Sequence, residues 1–284
     1  MKYLSVLIIF LFTPFAWCSR IVTDELGSRI VVPDHPHRLV CLMPSVVDDV
    51  YALGVGADVI AVPDYTKYPV EARNKPSVGS PVSPSVETIV SLHPDLVLAD
   101  SNMSQAEPVE FLRKMGIPVF VISPHGVEGI YQSLASLGNA LNQEDAARAL
   151  IARLRAREAA VRQRVSSKPT VRILMPVGYA PIISIGKHAF ITEIIGIAGG
   201  RSVTDDLPQE WPQVSLESML ARAPEALLLV RGAKMSMERI REQPGWSNLP
   251  AIKNNRVYYI DDRMLSPSPI VFDALEDLAK QLHP

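Results

Sequence analysis

The stretch from Glu144 to Val165, EDAARALIARLRAREAAVRQRV, determines how the rest of the chain is organised. Neither glycine nor proline occurs from Asn142 to Val165, and strong helix formers dominate the composition. We predict one long helix over residues 142–166, with Asn142 capping its start and acids in its first turn. About 23 residues give a length of roughly 35 Å, enough to run along two compact units without bending. Its apolar stripe consists of Ala147, Leu150, Leu154, Val161 and Val165.

The sequences on the two sides of this helix are similar to each other. Residues 86–98, VETIVSLHPDLVL, align without gaps on residues 216–228, LESMLARAPEALL, at a constant offset of 130 residues. Glutamate aligns with glutamate, proline with proline and acid with acid, and most apolar positions match. A repeat present in two copies indicates two lobes related by pseudo-symmetry rather than a solenoid.

Both halves alternate between short apolar runs and segments with helical spacing. Residues 20–32 predict two strands around a turn, and the runs LVCLMP at 39–44 and VIAV at 59–62 predict buried strands. We therefore predict an α/β protein of two lobes, each a mostly parallel sheet flanked by helices, joined by one rigid helix. The predicted boundaries are residues 19–141 for the N-terminal lobe, 142–166 for the helix and 167–284 for the C-terminal lobe.

The first 18 residues have the features of a secretory signal peptide. Lys2 precedes an apolar run from Leu4 to Phe12, which is too short to span a bilayer. An exported, periplasmic protein is the prediction, with a lipid anchor on Cys18 as the less favoured alternative because Trp17 fits that processing poorly. Cleavage after Cys18 leaves Cys41 as the one remaining cysteine, which its apolar neighbours identify as a buried hydrophobe.

Composition and motifs argue against several classes of function. Hydrophobic residues make up 48% of the chain and the formal net charge is −2, so the cationic excess of a nucleic-acid-binding protein is absent. The sequence contains no dinucleotide loop, nucleophile elbow or phosphate-binding lysine loop, which leaves an α/β enzyme as a remote alternative. The histidines lack a ligand spacing, and we expect neither a protein-held metal nor a cofactor.

Several segments together resemble a known family, the periplasmic binding proteins of cobalamin, haem and ferric-siderophore importers. The resemblance is carried by the opening VTDELGSRIVVPDHPHRLVCL and by residues 65–69 (YTKYP), 178–187, 211–215 (WPQVS) and 268–269. It is strongest to the cobalamin-binding branch. The resemblance implies a monomeric protein that holds a transported macrocycle in a cleft between lobes joined by a single helix.

The same resemblance suggests which residues contact the ligand. Tyr65, Tyr68 and Trp211 would offer flat apolar faces with polar edges, and Asp262 falls where the cobalamin branch places a ligand-contacting acid. Pro81 stands where similar cobalamin binders carry an aromatic residue, so the departure leaves the ligand open. Haem is the runner-up, with Tyr65, Tyr68 or His188 as an axial group. A ferric siderophore would call for clustered cations, and the candidates are scattered: Lys67, Lys187, Arg201 and Arg263.

Glu87 and Glu217 are predicted to dock onto the membrane permease. They occupy the same position of the two repeats, and in the resembling family one glutamate per lobe enters an arginine pocket of the permease. The predicted partner is therefore an ABC importer, consisting of a permease dimer with its ATPase. The alternative is that both are ordinary acids at helix starts, where they interact favourably with the helix dipole.

Overall fold

The computed structural model describes residues 19–101, 107–179, 181–231 and 236–284. The predicted signal peptide, with Cys18, lies outside these ranges. No helix among the described residues combines the length and the apolar character that crossing a bilayer requires.

The N-terminal lobe starts with an antiparallel hairpin that turns at Gly27 (φ 82°). Its four-stranded main sheet is parallel, with the order β4-β3-β7-β8. The strands of this sheet are almost entirely apolar, as expected where helices cover both faces. In chain order the elements are β1 (Ser19–Thr23), β2 (Arg29–Pro33), β3 (Leu39–Cys41), α1 (Pro44–Ala52), β4 (Val59–Ala61), β5 (Gly79–Ser80), β6 (Ser83–Pro84), α2 (Val86–Ser91), β7 (Leu96–Asp100), α3 (Glu107–Lys114), β8 (Val119–Ile122) and α4 (Gly126–Ala140).

The C-terminal lobe repeats this design. Its main sheet is also parallel, with the order β12-β9-β14-β15, and a small antiparallel sheet β10-β11-β13 is inserted beside it. After the connecting helix α5 (Glu144–Val165), the elements are β9 (Val171–Leu174), β10 (Gly178–Tyr179), β11 (Ile182–Ile183), α6 (Phe190–Ile197), β12 (Gly200–Ser202), β13 (Gln213–Val214), α7 (Leu216–Arg222), β14 (Ala226–Val230), α8 (Met237–Glu242), α9 (Pro250–Lys253), β15 (Val257–Ile260) and α10 (Val271–Leu282). Two separate parallel-sheet lobes flanked by helices confirm the predicted fold class.

The connecting helix α5 has 22 residues and buries the five apolar residues of the predicted stripe. The prediction that Asn142 caps it was wrong. Asn142 has a φ of 57° and follows the end of α4, while the position before α5 is Gln143, whose side chain makes no cap hydrogen bond. Asparagine tolerates the left-handed conformation that the sharp turn between α4 and α5 requires, and this role excludes the capping one.

The 130-residue offset of the repeat persists in three dimensions. Ser85 accepts a hydrogen bond from the backbone N–H of Thr88 at the start of α2, and Ser215 accepts the same bond from Ser218 at the start of α7. Both helices end in residues with similar left-handed backbones, since φ is 46° at His93 and 44° at Ala223.

A second repeated contact lies where α2 and α7 end. The Arg38 side chain donates to the backbone oxygens of Leu92 and His93 after α2, and the Arg172 side chain donates to the Arg222 oxygen of α7. In both lobes, an arginine side chain therefore binds free carbonyl oxygens at the C-terminal end of the equivalent helix.

One hydrophobic core extends through both lobes. Helix α4 of the N-terminal lobe, the connecting helix α5, and α6 and α10 of the C-terminal lobe pack against one another and form a helical layer between the two main sheets. The core reaches from Val22 in β1 to Leu282 in α10, and Cys41 lies fully buried within it. Burial raises the pKa of the Cys41 thiol, so the thiol stays protonated and unreactive. This agrees with its prediction as a buried hydrophobe.

Candidate functional site

A cavity of about 340 Å³ opens between the lobes. It lies where β3 and β4 of one lobe and β15 of the other end at their carboxyl termini, the place where open parallel sheets bind ligands. Three residues predicted from sequence, Tyr65, Tyr68 and Asp262, meet in its wall. The other lining residues are Met43, Pro44, Ser45, Asp48, Lys67, Arg263, Leu265, Ser266, Pro267 and Ile270.

Two polar contacts join the lobes at the rim of this cavity. Lys67 forms an ion pair with Asp262, and the hydrogen bond with this partner raises the pKa of the Lys67 ammonium. The Tyr68 hydroxyl lies 3.5 Å from the carboxylate of Asp261. Burial of Asp261 is outweighed by hydrogen bonds from the backbone and guanidinium of Arg263, so its pKa is lowered and the acid stays charged. The rim of the cavity is thus lined by charged groups. Exposed ion pairs contribute little to stability, so a bulky ligand could displace these contacts at a small cost in free energy.

Tyr65 presents its ring to the cavity from a strained backbone. Its φ is 65°, a conformation that bulky residues seldom adopt, and the neighbouring Thr66 hydroxyl donates to the Pro63 carbonyl to hold the turn. The side chain is 81% exposed, and its hydroxyl has no hydrogen-bond partner among the described residues. Backbone strain of this kind concentrates at ligand-binding positions, and an exposed ring is available to stack on a flat ligand.

Trp211 and Pro81 do not line the same cavity. Trp211 is 45% exposed and precedes β13, where the flanking carbonyls of Glu210 and Pro212 accept hydrogen bonds from Gly186 and Ser184. Pro81 is half-buried at the turn between β5 and β6. Their roles in ligand binding stay predictions. Either residue could contact a ligand only if that ligand extended beyond the cavity.

The helix starts that carry Glu87 and Glu217 are equivalent. Each glutamate is the second residue of its helix, follows a serine cap and is exposed. Hydrogen bonds from its own backbone N–H and from the Ser215 hydroxyl lower the pKa of Glu217, which keeps it anionic. The two acids therefore occupy equivalent positions at the starts of equivalent helices, and their docking role stays a prediction.

Comparison with known proteins assigns the chain to a family. The periplasmic binding protein family matches residues 39–264, which include both lobes and the cavity between them. The chain belongs to this family.

Individual relatives of this periplasmic binding protein cover nearly all of it. An uncharacterized ABC transporter substrate-binding lipoprotein, YvrC of Bacillus subtilis, is 28% identical over 93% of this chain and 85% of its own length. A vitamin B12-binding protein of Photorhabdus laumondii is 29% identical over 87% of this chain and 88% of its own. The periplasmic heme-binding protein RhuT of Roseiflexus sp. RS-1, in apo form, superposes with a TM-score of 0.79 at 25% identity, over 87% and 98% of the two chains.

The site of this periplasmic binding protein contains a residue that the sequence analysis did not select. Asp48 lies in α1, lines the cavity, and accepts hydrogen bonds from the Ser268 hydroxyl (2.7 Å) and the Ile270 N–H (3.0 Å) of the other lobe. Burial raises the pKa of its carboxyl. A signal existed, because the pair Asp48-Asp49 interrupts an otherwise apolar helical face, and acids are rarely buried without a role.

The chemistry available in the cavity is that of binding. Apolar and aromatic side chains supply most of its wall, and a few charged and hydroxyl groups could orient a ligand. Among the described residues, no group of three or more histidine, cysteine, aspartate or glutamate side chains is placed to hold a metal ion.

Proposed function

We propose that this chain is an exported substrate-binding protein that captures cobalamin or a related corrinoid between its lobes and delivers it to an ABC importer. The observation that carries the proposal is the convergence of Tyr65 and Tyr68 from one lobe with Asp262 from the other on a single cavity. Relatives named as vitamin B12-binding and as ABC transporter substrate-binding proteins support it. The corrinoid is cargo here and not a cofactor.

The physical fit favours a flat, amide-fringed ligand. The aromatic rings would lie against the macrocycle, and Asp262, Lys67 and Ser266 would meet polar groups at its edge. A cavity of about 340 Å³ is at the lower end of ligand pockets. A corrinoid would therefore extend past its walls, and this extension is what would bring Trp211 into contact.

Haem is the second candidate because of Tyr65. A tyrosine hydroxyl that faces the cavity and has no hydrogen-bond partner among the described residues is available as an axial ligand to iron. Replacing Tyr65 with phenylalanine removes only that oxygen. The substitution should leave corrinoid binding intact, whereas it should weaken haem binding and shift the absorption spectrum of the complex.

Titration calorimetry and absorption spectroscopy with cyanocobalamin, cobinamide, haemin and ferrichrome test the assignment. We expect micromolar or tighter binding of a corrinoid, and Tyr68→Ala should weaken it. Phe111→Ala should have no effect, because it removes an exposed ring that does not line the cavity. Binding of haemin or ferrichrome without any corrinoid would overturn the ligand while retaining the class of protein. If none of the four ligands bound, the proposal that the cleft is their binding site would be contradicted.

Delivery is proposed to use the two exposed glutamates. Glu87 and Glu217 start equivalent helices in the two lobes, so a permease dimer with one cationic pocket per subunit could receive both at once. We propose that this pairing orients the protein on its importer.

A further inference from the structure

Helix α10 begins without a side-chain cap of its own. The residue before it, Ile270, offers no capping side chain, and the Asp48 carboxylate from the opposite lobe binds the Ile270 N–H at the start of the helix. Its Oδ2 accepts from the Ile270 N–H at 3.0 Å and from the Ser268 hydroxyl at 2.7 Å, across 222 and 220 residues of sequence. The first turn of a C-terminal-lobe helix is thus completed by the N-terminal lobe.

Helix α4 shows the converse arrangement. His125, the residue before it, makes no side-chain cap, and the Glu193 carboxylate of α6 accepts a hydrogen bond from the Val127 N–H at 2.9 Å. Gly126 lies directly under this carboxylate with a φ of 68°, and a Cβ at that position would collide with Glu193 Oε2. Here a helix of the N-terminal lobe is completed by the C-terminal lobe.

The two contacts are related by the pseudo-symmetry of the fold. Helices α1 and α6, which supply the carboxylates, are the first helices after the leading strands β3 and β9 of the two main sheets. Helices α4 and α10, which receive them, follow the last strands β8 and β15. Each lobe therefore gives one carboxylate to, and takes one from, its counterpart. A carboxylate at a helix N-terminus is favourable because it pairs unsatisfied N–H groups and opposes the helix dipole.

We propose that Asp48 and Glu193 are a pair of positioning residues that fix the angle between the lobes and with it the width of the ligand cleft. Packing of α4 and α10 already joins the lobes, and two hydrogen-bonded contacts at separate helix ends add resistance to rotation of one lobe against the other. Asp48 also lines the cavity, but Glu193 is outside its lining, so an effect of Glu193 on ligand affinity has to act through the placement of the lobes. The inference about affinity rests on the proposed function, while the inference about the interlobe angle does not.

Spin labels on the two lobes measure the angle directly in the ligand-free protein. Exposed Lys114 and Lys253 are replaced by cysteine for labelling, with Cys18→Ser, while buried Cys41 is left in place. We expect a narrow distance distribution that broadens or shifts in Glu193→Ala and again in Asp48→Ala. Glu193→Gln should restore the narrow distribution because its amide oxygen still accepts the hydrogen bond. The matched control is Glu128→Ala, which removes an acid from the first turn of α4 that pairs with Arg155 of α5 rather than with the other lobe.

Affinity gives the second readout. Cyanocobalamin should bind Glu193→Ala about threefold or more weakly, in line with the loss of a capping contact, and should bind Glu193→Gln and Glu128→Ala as it binds the unchanged protein. Distance distributions that stay narrow in both alanine variants would overturn the proposal, even if those variants melt at lower temperature. A chain that binds no corrinoid at all would contradict the proposed function, and the distance measurement would still decide the role of the two carboxylates.

Discussion

The rings of Tyr131 and Phe272 stack with their centroids 5.8 Å apart and their planes inclined by 27°, although Tyr131 lies in α4 of one lobe and Phe272 in α10 of the other. The Tyr131 hydroxyl donates to Glu158 of the connecting helix at 2.8 Å, and the Arg155 guanidinium lies 4.3 Å from the ring centre. This ring therefore contacts both lobes and the helix between them. The lobes are held together by packing as well as by the covalent connection.

Removing that packing should weaken the whole molecule. Phe272 is fully buried, so Phe272→Ala should lower the free energy of unfolding by about 3–5 kcal/mol through lost burial and the cavity left behind. Urea denaturation followed by circular dichroism measures the change. Phe111→Ala is the control, since Phe111 is 53% exposed and its loss should alter stability by no more than about 0.5 kcal/mol. Equal effects of the two substitutions would contradict a shared interlobe core.

Uptake should depend on the paired glutamates. We expect Glu87→Ala combined with Glu217→Ala to leave corrinoid affinity unchanged and to abolish transport through the cognate permease, because both acids are exposed and neither lines the cavity. Uptake of labelled cobalamin by cells or proteoliposomes measures this. Glu107→Ala combined with Glu238→Ala removes exposed first-turn acids from other helices of the same lobes and should transport normally. Normal transport by the first double variant would end the docking proposal.

Trp211 should contribute to binding of a large ligand. Trp211→Ala should weaken corrinoid affinity by about 1 kcal/mol or more, the worth of a stacking contact, while Trp211→Phe should retain most of it. Because Trp211 is 45% exposed, its remaining surface contributes to packing, and the melting temperature of each variant separates lost binding from lost stability. Calorimetric titration of both variants gives the comparison, and an unchanged affinity in Trp211→Ala would place this residue outside the ligand site.

Stability should depend on pH through Asp49. This acid is 2% exposed, its Oδ2 has no hydrogen-bond partner among the described residues, and burial together with the nearby Asp48 raises its pKa well above the usual value. The unfolded chain loses this proton near pH 3.9 while the folded protein retains it to higher pH. Stability is therefore lost as pH rises from about 3.9 through the raised pKa of the folded state.

Asp49→Asn should remove that loss. At pH 8 the variant should be more stable than the unchanged protein, because its neutral amide avoids the cost of ionising a buried carboxyl, and the difference should shrink towards pH 4. Urea titrations at several pH values measure it. Asp206→Asn is the opposite control, because hydrogen bonds from Arg222 lower the pKa of Asp206, and its replacement should destabilise at pH 8 and lose its effect in acid. A pH-independent difference for Asp49→Asn would contradict the assigned cause.

The fold could be predicted from sequence wherever local pattern and repeat agreed. Helix α5, the strands β3 and β7 and the equivalence of α2 with α7 follow from composition, apolar runs and the 130-residue offset. Helix α4 was not predicted, because Gly126, Gly129 and Gly138 are poor helix formers. The structure shows why they occur there: a Cβ at Gly129 would press on the Pro124 backbone, and one at Gly138 would meet Ala147 of α5. Such close approaches are visible only after packing.

The site could be predicted in part. Tyr65, Tyr68 and Asp262 occur just after strands whose carboxyl ends meet, so their convergence follows from the topology rule for parallel sheets. The role of Asp48 could not be inferred, because its partner Ile270 lies 222 residues away and contributes only a backbone N–H, which no side-chain motif reveals.

The core that passes through the helical layer also constrains how the chain reaches its native state. A growing chain that extends only to residue 270 has no α10, so the Tyr131 ring lacks its stacking partner and part of the apolar surface of the helical layer stays open to water. The packing of the first lobe is therefore complete only when the last helix has docked, and apolar surface exposed before that point favours aggregation.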